Sequence, residues 1–358
     1  MNIQVILSRR PALASLALLL FGLSVGLVSA ELLLRLFAPD DNVRATASLD
    51  IYAPSECCGI ALKPNLSRAT FWNGKKVYIE TDAEGRRIPR DRTFAGETGI
   101  PKVVFCGDSY TFGNEENAAD TFPYLVGVGA QRETINLGVG SYSTFQEVQS
   151  LEQYISRQGS SSIEQVFLCF FVGNDFTDNL PDREQLSIDE EGRIRFGRSM
   201  ANEWLRQLVY DSRLLSFVVL RLRTAYLNLS YRFGTSSRPS LYSQDFYSSD
   251  VVSQTRGALE KFSDLCQMHQ LDAAVFVIPD KDQVYKQFAS EEDRDRPNRV
   301  LAGLLDELRL PYIDLLPYLL AASETSADPL YNMTQAGHLS APGHRLASRV
   351  LLKYLEPK

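Results

Sequence analysis

The sequence predicts an α/β domain with a parallel sheet between two layers of helices, and three observations predict it. Residues 103–106, 166–172 and 273–278 are unbroken apolar runs, the pattern of strands buried on both faces. Between the runs apolar residues recur at helical spacing, as strand–helix–strand crossovers require. The runs also stop abruptly at small polar residues, Gly107-Asp108-Ser109 and Gly173-Asn174-Asp175, where open α/β sheets place their sites.

In order, the expected strands cover 103–106, 134–137, 165–172, 273–278 and 312–315. Helices are expected near 121–130, 145–157, 249–269, 298–308 and 341–354, the last with Leu346, Val350, Leu351 and Tyr354 on one face. Five parallel strands with these helices make a three-layer α/β/α domain of flavodoxin-like type over residues 100–358. An insertion at about 179–248 interrupts it. The insertion holds a hairpin pattern at 187–196 and an Arg-rich amphipathic stretch at 213–233. That stretch reads as a helix packed on its own domain in preference to one lying on a membrane. An insertion after a strand's C-terminal end overhangs the site and shapes its groove.

Residues 38–99 are rich in Pro, Gly, Asn and Arg and contain one strand-like piece, 76–80. They read as an extended arm packed on the main domain, too poor in periodic apolar residues for a core of its own. Ahead of the arm, 11–30 is apolar over about the length that spans a bilayer. Arg9 and Arg10 precede it and Glu31, Asp40 and Asp41 follow, which puts the N-terminus in the cytoplasm and the rest outside. Val28-Ser29-Ala30 also fits a signal-peptidase site. The apolar run resumes after Glu31, so residues 1–37 read as an uncleaved anchor in preference to a signal peptide.

A net charge of -7 argues against a nucleic-acid partner. Cys106, Cys169 and Cys266 lie in strand or helix patterns and read as core packing. Cys57 and Cys58 are adjacent and lack the second pair that a zinc site needs. With three histidines and no His-x-x-His or Glu-x-x-His pattern, no catalytic metal is expected.

Four stretches carry chemistry. Ser109, at a strand end, is a candidate nucleophile, although Asp108 and Ser109 also suit a plain turn. Asn136-Leu137-Gly138-Val139-Gly140-Ser141 is a strand end and a small-residue loop whose backbone N–H groups can approach a ligand. Asn174 offers a side-chain amide to an oxyanion. His338 stands just ahead of a helix that Ser340 caps. A hydroxyl, an imidazole, an amide and backbone donors are the minimum for acyl transfer. Asp108 and Asp175 read as holding the strand-end turns, Asp314 as a turn residue, His344 as packing and His269 as a helix end.

In order and spacing these four blocks resemble those of the SGNH, or GDSL, hydrolase superfamily, from about Pro101 to the C-terminus. The anchor, the Gly85-Arg86 arm and Ser109-Tyr110-Thr111-Phe112-Gly113 resemble a membrane-anchored bacterial subgroup. Pro279, Lys281 and Tyr285 are similar to the Pro-x-Lys-x-x-x-Tyr stretch of relatives acting on alginate and other envelope polysaccharides. The resemblance implies Ser109 as nucleophile and His338 as base. It implies an oxyanion hole from the backbone N–H of Ser109, that of Gly140 or Ser141, and the Asn174 side chain. Gly107, Asp108, Gly173, Asp175 and Gln335 would support these groups. No metal or nucleotide cofactor is implied. The implied activity is that of an esterase or O-acyl transferase on acylated envelope carbohydrate, working beside envelope-biosynthesis partners.

Two departures stand out. Ser141 occupies a place where the superfamily usually has glycine. The triad acid normally lies two or three residues before the histidine, where this chain has Ala336 and Gln335. Loss of an equivalent Asp lowers turnover about ten-thousandfold in a serine protease. A backbone carbonyl or a distant residue such as Asp328 substitutes, or the enzyme is a slow Ser–His dyad, or catalysis is lost. A silent polysaccharide-binding or scaffolding domain and a lipid esterase are the alternative functions.

Overall fold

Three apolar strands buried in the middle of a sheet, flanked by two short edge strands, fix the architecture. They are β6 (Lys102–Gly107), β7 (Glu133–Asn136), β8 (Ile163–Phe171), β11 (Ala273–Ile278) and β12 (Tyr312–Asp314). All neighbours are parallel, in the order β12-β11-β8-β6-β7. The chain winds first to one side of β6 and then to the other, so the winding reverses at the β6–β8 boundary, where such sheets open a crevice.

The computed structural model describes residues 11–38, 51–72, 75–90, 100–181, 183, 186–188, 194–196, 208–209, 211–219, 221–222, 225, 240–333 and 337–356. Side chains alternate across the sheet. Val104, Cys106, Val166, Leu168 and Phe170 pack beneath α4 (Thr144–Gln158) and α6 (Ser249–Met268). Val103, Phe105, Phe167, Cys169 and Phe171 pack beneath α3 (Phe122–Ala130) and α10 (Ala341–Leu355). This is the three-layer domain read from the sequence, with strand ends within a residue or two of expectation.

Larger differences have plain causes. α8 (Glu291–Glu307) starts seven residues before the expected 298, because its first turns, Glu291 to Arg296, are all charged and show no apolar period. α9 (Leu316–Ser323) was not expected; Leu316 and Leu319 alone are buried in it. The described residues of the arm form five strands, not one. β1 (Tyr52–Ser55) pairs with β2 (Gly59–Leu62), and β3 (Ser67–Trp72), β4 (Lys75–Thr81) and β5 (Arg87–Ile88) make a second sheet. β4 is the expected strand-like piece; β1, β2 and β5, at two to four residues, carry too few alternations to read. Cys57 and Cys58 are disulfide-bonded to each other at the β1–β2 turn. Ile51, Tyr52, Ile60, Leu62 and Ile79 of the arm share one core with Phe112, Val139 and Tyr142.

In the insertion, β9 (Leu186–Ile188) and β10 (Ile194–Phe196) pair as the expected hairpin, its turn lying outside the described residues. The chain divides into two compact units, Met1–Ser48 with Met200–Thr235, and Leu49–Ser199 with Ser236–Lys358. In the first, α1 (Pro11–Phe37) is long and apolar enough to cross a membrane over Ser15–Phe37.

Candidate active site

β6 ends at Gly107, where a Cβ would fall 2.0 Å from Thr111 Oγ1, so the strand stops on a residue without one. Asp108 then caps a single helical turn, α2 (Ser109–Phe112), accepting from the Tyr110 N–H at 2.8 Å. This puts Ser109 at the C-terminal end of β6, beside β8. Ser109 Oγ lies 2.9 Å from His338 Nε2, a contact between blocks 229 residues apart.

The histidine is held by its own loop and by the segment after β11. Asn332 N–H donates to the His338 carbonyl at 2.8 Å, and Ser340 N–H to that of Leu330 at 3.0 Å. Tyr110 donates its hydroxyl to the Gly337 carbonyl at 3.1 Å, its ring 4.9 Å from the imidazole. Lys281 and Tyr285 both reach this loop. A Cβ on Gly337 would sit 3.0 Å from Lys281 Nζ, and Leu330 N–H donates to Tyr285 Oη at 2.8 Å. Burial, and then the Lys281 ammonium, hold the His338 imidazole down to about 4, so it is neutral at neutral pH.

His338 Nδ1 is buried and has no hydrogen-bond partner among the described residues. Asp328 is exposed and is not that partner. Gln335 and Ala336 lie outside the described residues.

The second loop is pinned at its base. Asn136 donates from Nδ2 to the Thr111 carbonyl at 2.9 Å and accepts from the Gly138 N–H at 2.8 Å. Val139 N–H donates to the Gly107 carbonyl at 3.1 Å. Ser141 takes the left-handed backbone conformation, φ 69°, that suits the glycine usual at this place. A Cβ on Gly140 would lie 3.9 Å from Ser109 Cβ and 2.5 Å from the Tyr52 hydroxyl, which faces the Gly140 N–H. Burial keeps that phenol protonated.

Asn174 follows β8, and its amide is already engaged. Nδ2 donates to Asp178 Oδ2 at 2.6 Å and to Asp108 Oδ2 at 3.3 Å. Asp178 in turn pairs with Arg183. Donating to an oxyanion therefore requires Asn174 to give up one carboxylate. Gly173 allows the preceding turn, since a Cβ there would come 2.3 Å from Phe171 Cζ. Asp175 accepts from the Phe171 N–H at 2.7 Å and ties the strand end.

Two residues escaped the sequence reading. Tyr52 had no signal, lying in a short strand far from every block. Glu147 did have one, because it shares a helical face with the buried Leu151 and Tyr154. Both Glu147 carboxyl oxygens are buried without a hydrogen-bond partner among the described residues. Burial raises Asp108 to about 6 and pushes the Glu147 and Asp175 carboxyls well up; the Asp108 charge adds to the rise at Glu147, and those of Glu147 and Asp108 add to it at Asp175.

A serine and a neutral histidine in hydrogen-bond contact, at the point where a parallel sheet reverses its winding, are the equipment of a serine hydrolase. Residues 105–346 match the GDSL-like lipase/acylhydrolase family, so the chain belongs to that family and acts on ester bonds. No curated protein matches the sequence. Among solved structures, the chain is similar to a member of the lipolytic protein G-D-S-L family from Veillonella parvula, at 12% identity and a TM-score of 0.42. That match covers 72% of this chain and 99% of the other. It is also similar to a catalytic mutant of an acetylxylan esterase from Geobacillus stearothermophilus, at 11% identity and a TM-score of 0.39. Here 74% of this chain and 98% of the other are covered. The family assignment rests on the match over 105–346 and not on these distant likenesses.

Proposed function

We propose that the protein is a membrane-anchored, periplasm-facing esterase or O-acyl transferase acting on acylated cell-envelope carbohydrate through a Ser109 acyl-enzyme. The observation that carries the chemistry is the 2.9 Å Ser109–His338 contact. Ser109 Oγ attacks the ester carbonyl while His338 Nε2 takes its proton. The tetrahedral oxyanion is met by the Ser109 N–H, the Ser141 N–H or, once it leaves the Tyr52 hydroxyl, that of Gly140, and, once released from a carboxylate, Asn174. Collapse expels the sugar oxygen, which takes the proton back from His338. Water or an acceptor hydroxyl, deprotonated by the same nitrogen, then clears the acyl group and restores Ser109. The carbohydrate reading is supported by Lys281 and Tyr285, whose stretch resembles that of polysaccharide-modifying relatives and which lie against the histidine loop. The envelope location is supported by α1 and by the Arg residues ahead of it.

The unpartnered Nδ1 favours a second reading, a silent domain that binds polysaccharide without turning it over. Fluorophosphonate labelling separates the two. The enzyme is expected to label at Ser109, to lose the label in Ser109→Ala and His338→Ala, and to release acetate from acetylated polysaccharide. A folded wild type that takes no label and releases nothing would establish the silent reading. Preferential cleavage of lipid esters would move the substrate assignment to lipids.

A further inference from the structure

The end of α1 and the start of an inserted helix cap each other. Glu31 accepts from the backbone N–H of Arg213 at 3.1 Å, that of Leu214 at 2.8 Å and Ser212 Oγ at 2.9 Å. The first N–H groups of the helix over 213–219 have no intrahelical partner, and an anionic side chain is the favoured cap for them. The reverse contact completes the joint. Arg213 Nη1 donates to the carbonyls of Leu34 at 3.1 Å and Arg35 at 2.9 Å, in the last turn of α1. Arg35 links the two, giving Nε to Glu31 at 2.7 Å and Nη2 to the Asp211 carbonyl at 2.8 Å. Every strong polar group at the junction is matched, between segments some 180 residues apart.

The joint has a defined depth. At about 1.5 Å of rise per residue, the stretch 11–30 spans about 30 Å, the thickness of a bilayer's hydrocarbon core. With the span taken up to the first charge of this helix, Glu31 and Arg35 emerge among the headgroups, and the helix they cap starts at that level. Beyond the joint Val218, Val219 and Leu222 are exposed, Leu222 by 65%. Val218, Leu222 and the exposed Ala225 recur at helical spacing and share a face, with the exposed Arg221 beside it.

We infer that the helix starting at Arg213 lies in the headgroup layer of an anionic bilayer, Val218 and Leu222 against acyl chains and Arg221 on phosphates, held there by the Glu31–Arg213 joint. This replaces the packing on its own domain that the Arg-rich pattern suggested, and it rests on the reading of α1 as an anchor. An apolar face flanked by arginine, fixed at the membrane surface, is the pattern of an interfacial helix.

The test uses the full chain in vesicles of phosphatidylethanolamine and phosphatidylglycerol. Leu222→Cys and Leu20→Cys each receive an environment-sensitive fluorophore, since Cys106, Cys169 and Cys266 are buried and Cys57 and Cys58 are bonded. The label at 222 is expected to be quenched about twofold by lipids nitroxide-labelled near the headgroup and to be shielded from aqueous iodide. The label at 20 is expected to be quenched by nitroxides deep in the acyl chains. Adding Glu31→Ala should release position 222 to iodide while position 20 keeps its quenching. No quenching at 20 overturns the anchor and the inference together. Quenching at 20 with position 222 open to iodide overturns the inference alone. So does shielding at 222 without lipid quenching, which would mean that a second copy covers the face. Position 222 still lipid-quenched in Glu31→Ala would overturn the joint as the holding element.

Discussion

His338 accepts a proton at Nε2 only when Nδ1 carries the other one, and a buried N–H without an acceptor costs roughly 1–3 kcal/mol. Nothing among the described residues accepts from Nδ1, so none of them enforces the productive tautomer or steadies the imidazolium. Burial and Lys281 push the same way, to a value of about 4. The acid limb of kcat/KM should therefore fall near pH 4, well below the usual histidine range, with full rate from about pH 5 upward. Ala336→Asp restores a carboxylate at the superfamily's spacing. It should move that limb upward by at least a pH unit and raise kcat about tenfold or more. A pH–rate profile of the two proteins checks this, and an unmoved limb would show that position 336 does not reach the imidazole. Tyr52→Phe probes the other half of the site. It keeps the ring's packing and removes the hydroxyl that faces Gly140. It should lower kcat about tenfold with KM and melting temperature held. A change in melting temperature alone would assign Tyr52 to the core. Ser109, His338 and Asn174 were legible because each ends a strand or precedes a capped helix. Tyr52 was not, because its place depends on the arm folding back across the loop.

At the scale of elements, α10 is fastened to α3 by a histidine. His344 Nδ1 accepts from the Phe122 N–H at 3.2 Å, and His344 is fully buried. Burial, then Arg87, then His338, hold its pKa down to about 3. The sign follows directly. The unfolded chain protonates near 6.5 and the folded chain only near 3, so this contribution is complete above about 6.5 and is lost as pH falls toward 3. His338 adds a loss of the same sign down to about 4. Asp108, raised to about 6, works against both, since its stabilising effect is lost as pH rises through 6. His344→Asn keeps an acceptor for Phe122 and cannot ionise, so its urea midpoint should fall less than the wild type's between pH 7 and pH 5. His344→Ala orphans the N–H and should cost about 1–3 kcal/mol at pH 7. Equal pH slopes for wild type and His344→Asn would remove the histidine from the linkage. The elements themselves were readable in proportion to their periodicity. The long strands and α4, α6 and α10 announced themselves, whereas the arm's short strands and the charged first turns of α8 had no period to read.

At the scale of the molecule, the sequence order conceals which segments fold together. An anchor, an arm and a domain with an insertion follow one another along the chain. In space, Met200–Thr235 belongs with the N-terminal segment and the arm belongs with the catalytic sheet. Pattern could not show this, because the union depends on Glu31 and Arg213 reaching each other's helix ends. It has a consequence for any soluble form. A chain starting at Leu49 leaves Ser212 Oγ and the N–H groups of Arg213 and Leu214 without their acceptor, and keeps Val218, Val219 and Leu222 exposed. Light scattering should find that chain self-associated, since an uncapped helix with an apolar face meets its own copies in the absence of lipid. A chain that also has 200–235 replaced by a Gly/Ser linker removes the whole unit and leaves the Ser109–His338 contact untouched. It should be monomeric and should hydrolyse p-nitrophenyl acetate. If both chains are monomeric, the inserted segment folds without α1 and Glu31 is dispensable to it. If neither hydrolyses the ester although both are folded, 200–235 is not the cause, because only one of them lacks it, and the full chain run beside them separates loss of residues 1–48 from a deficit at the Ser109–His338 pair.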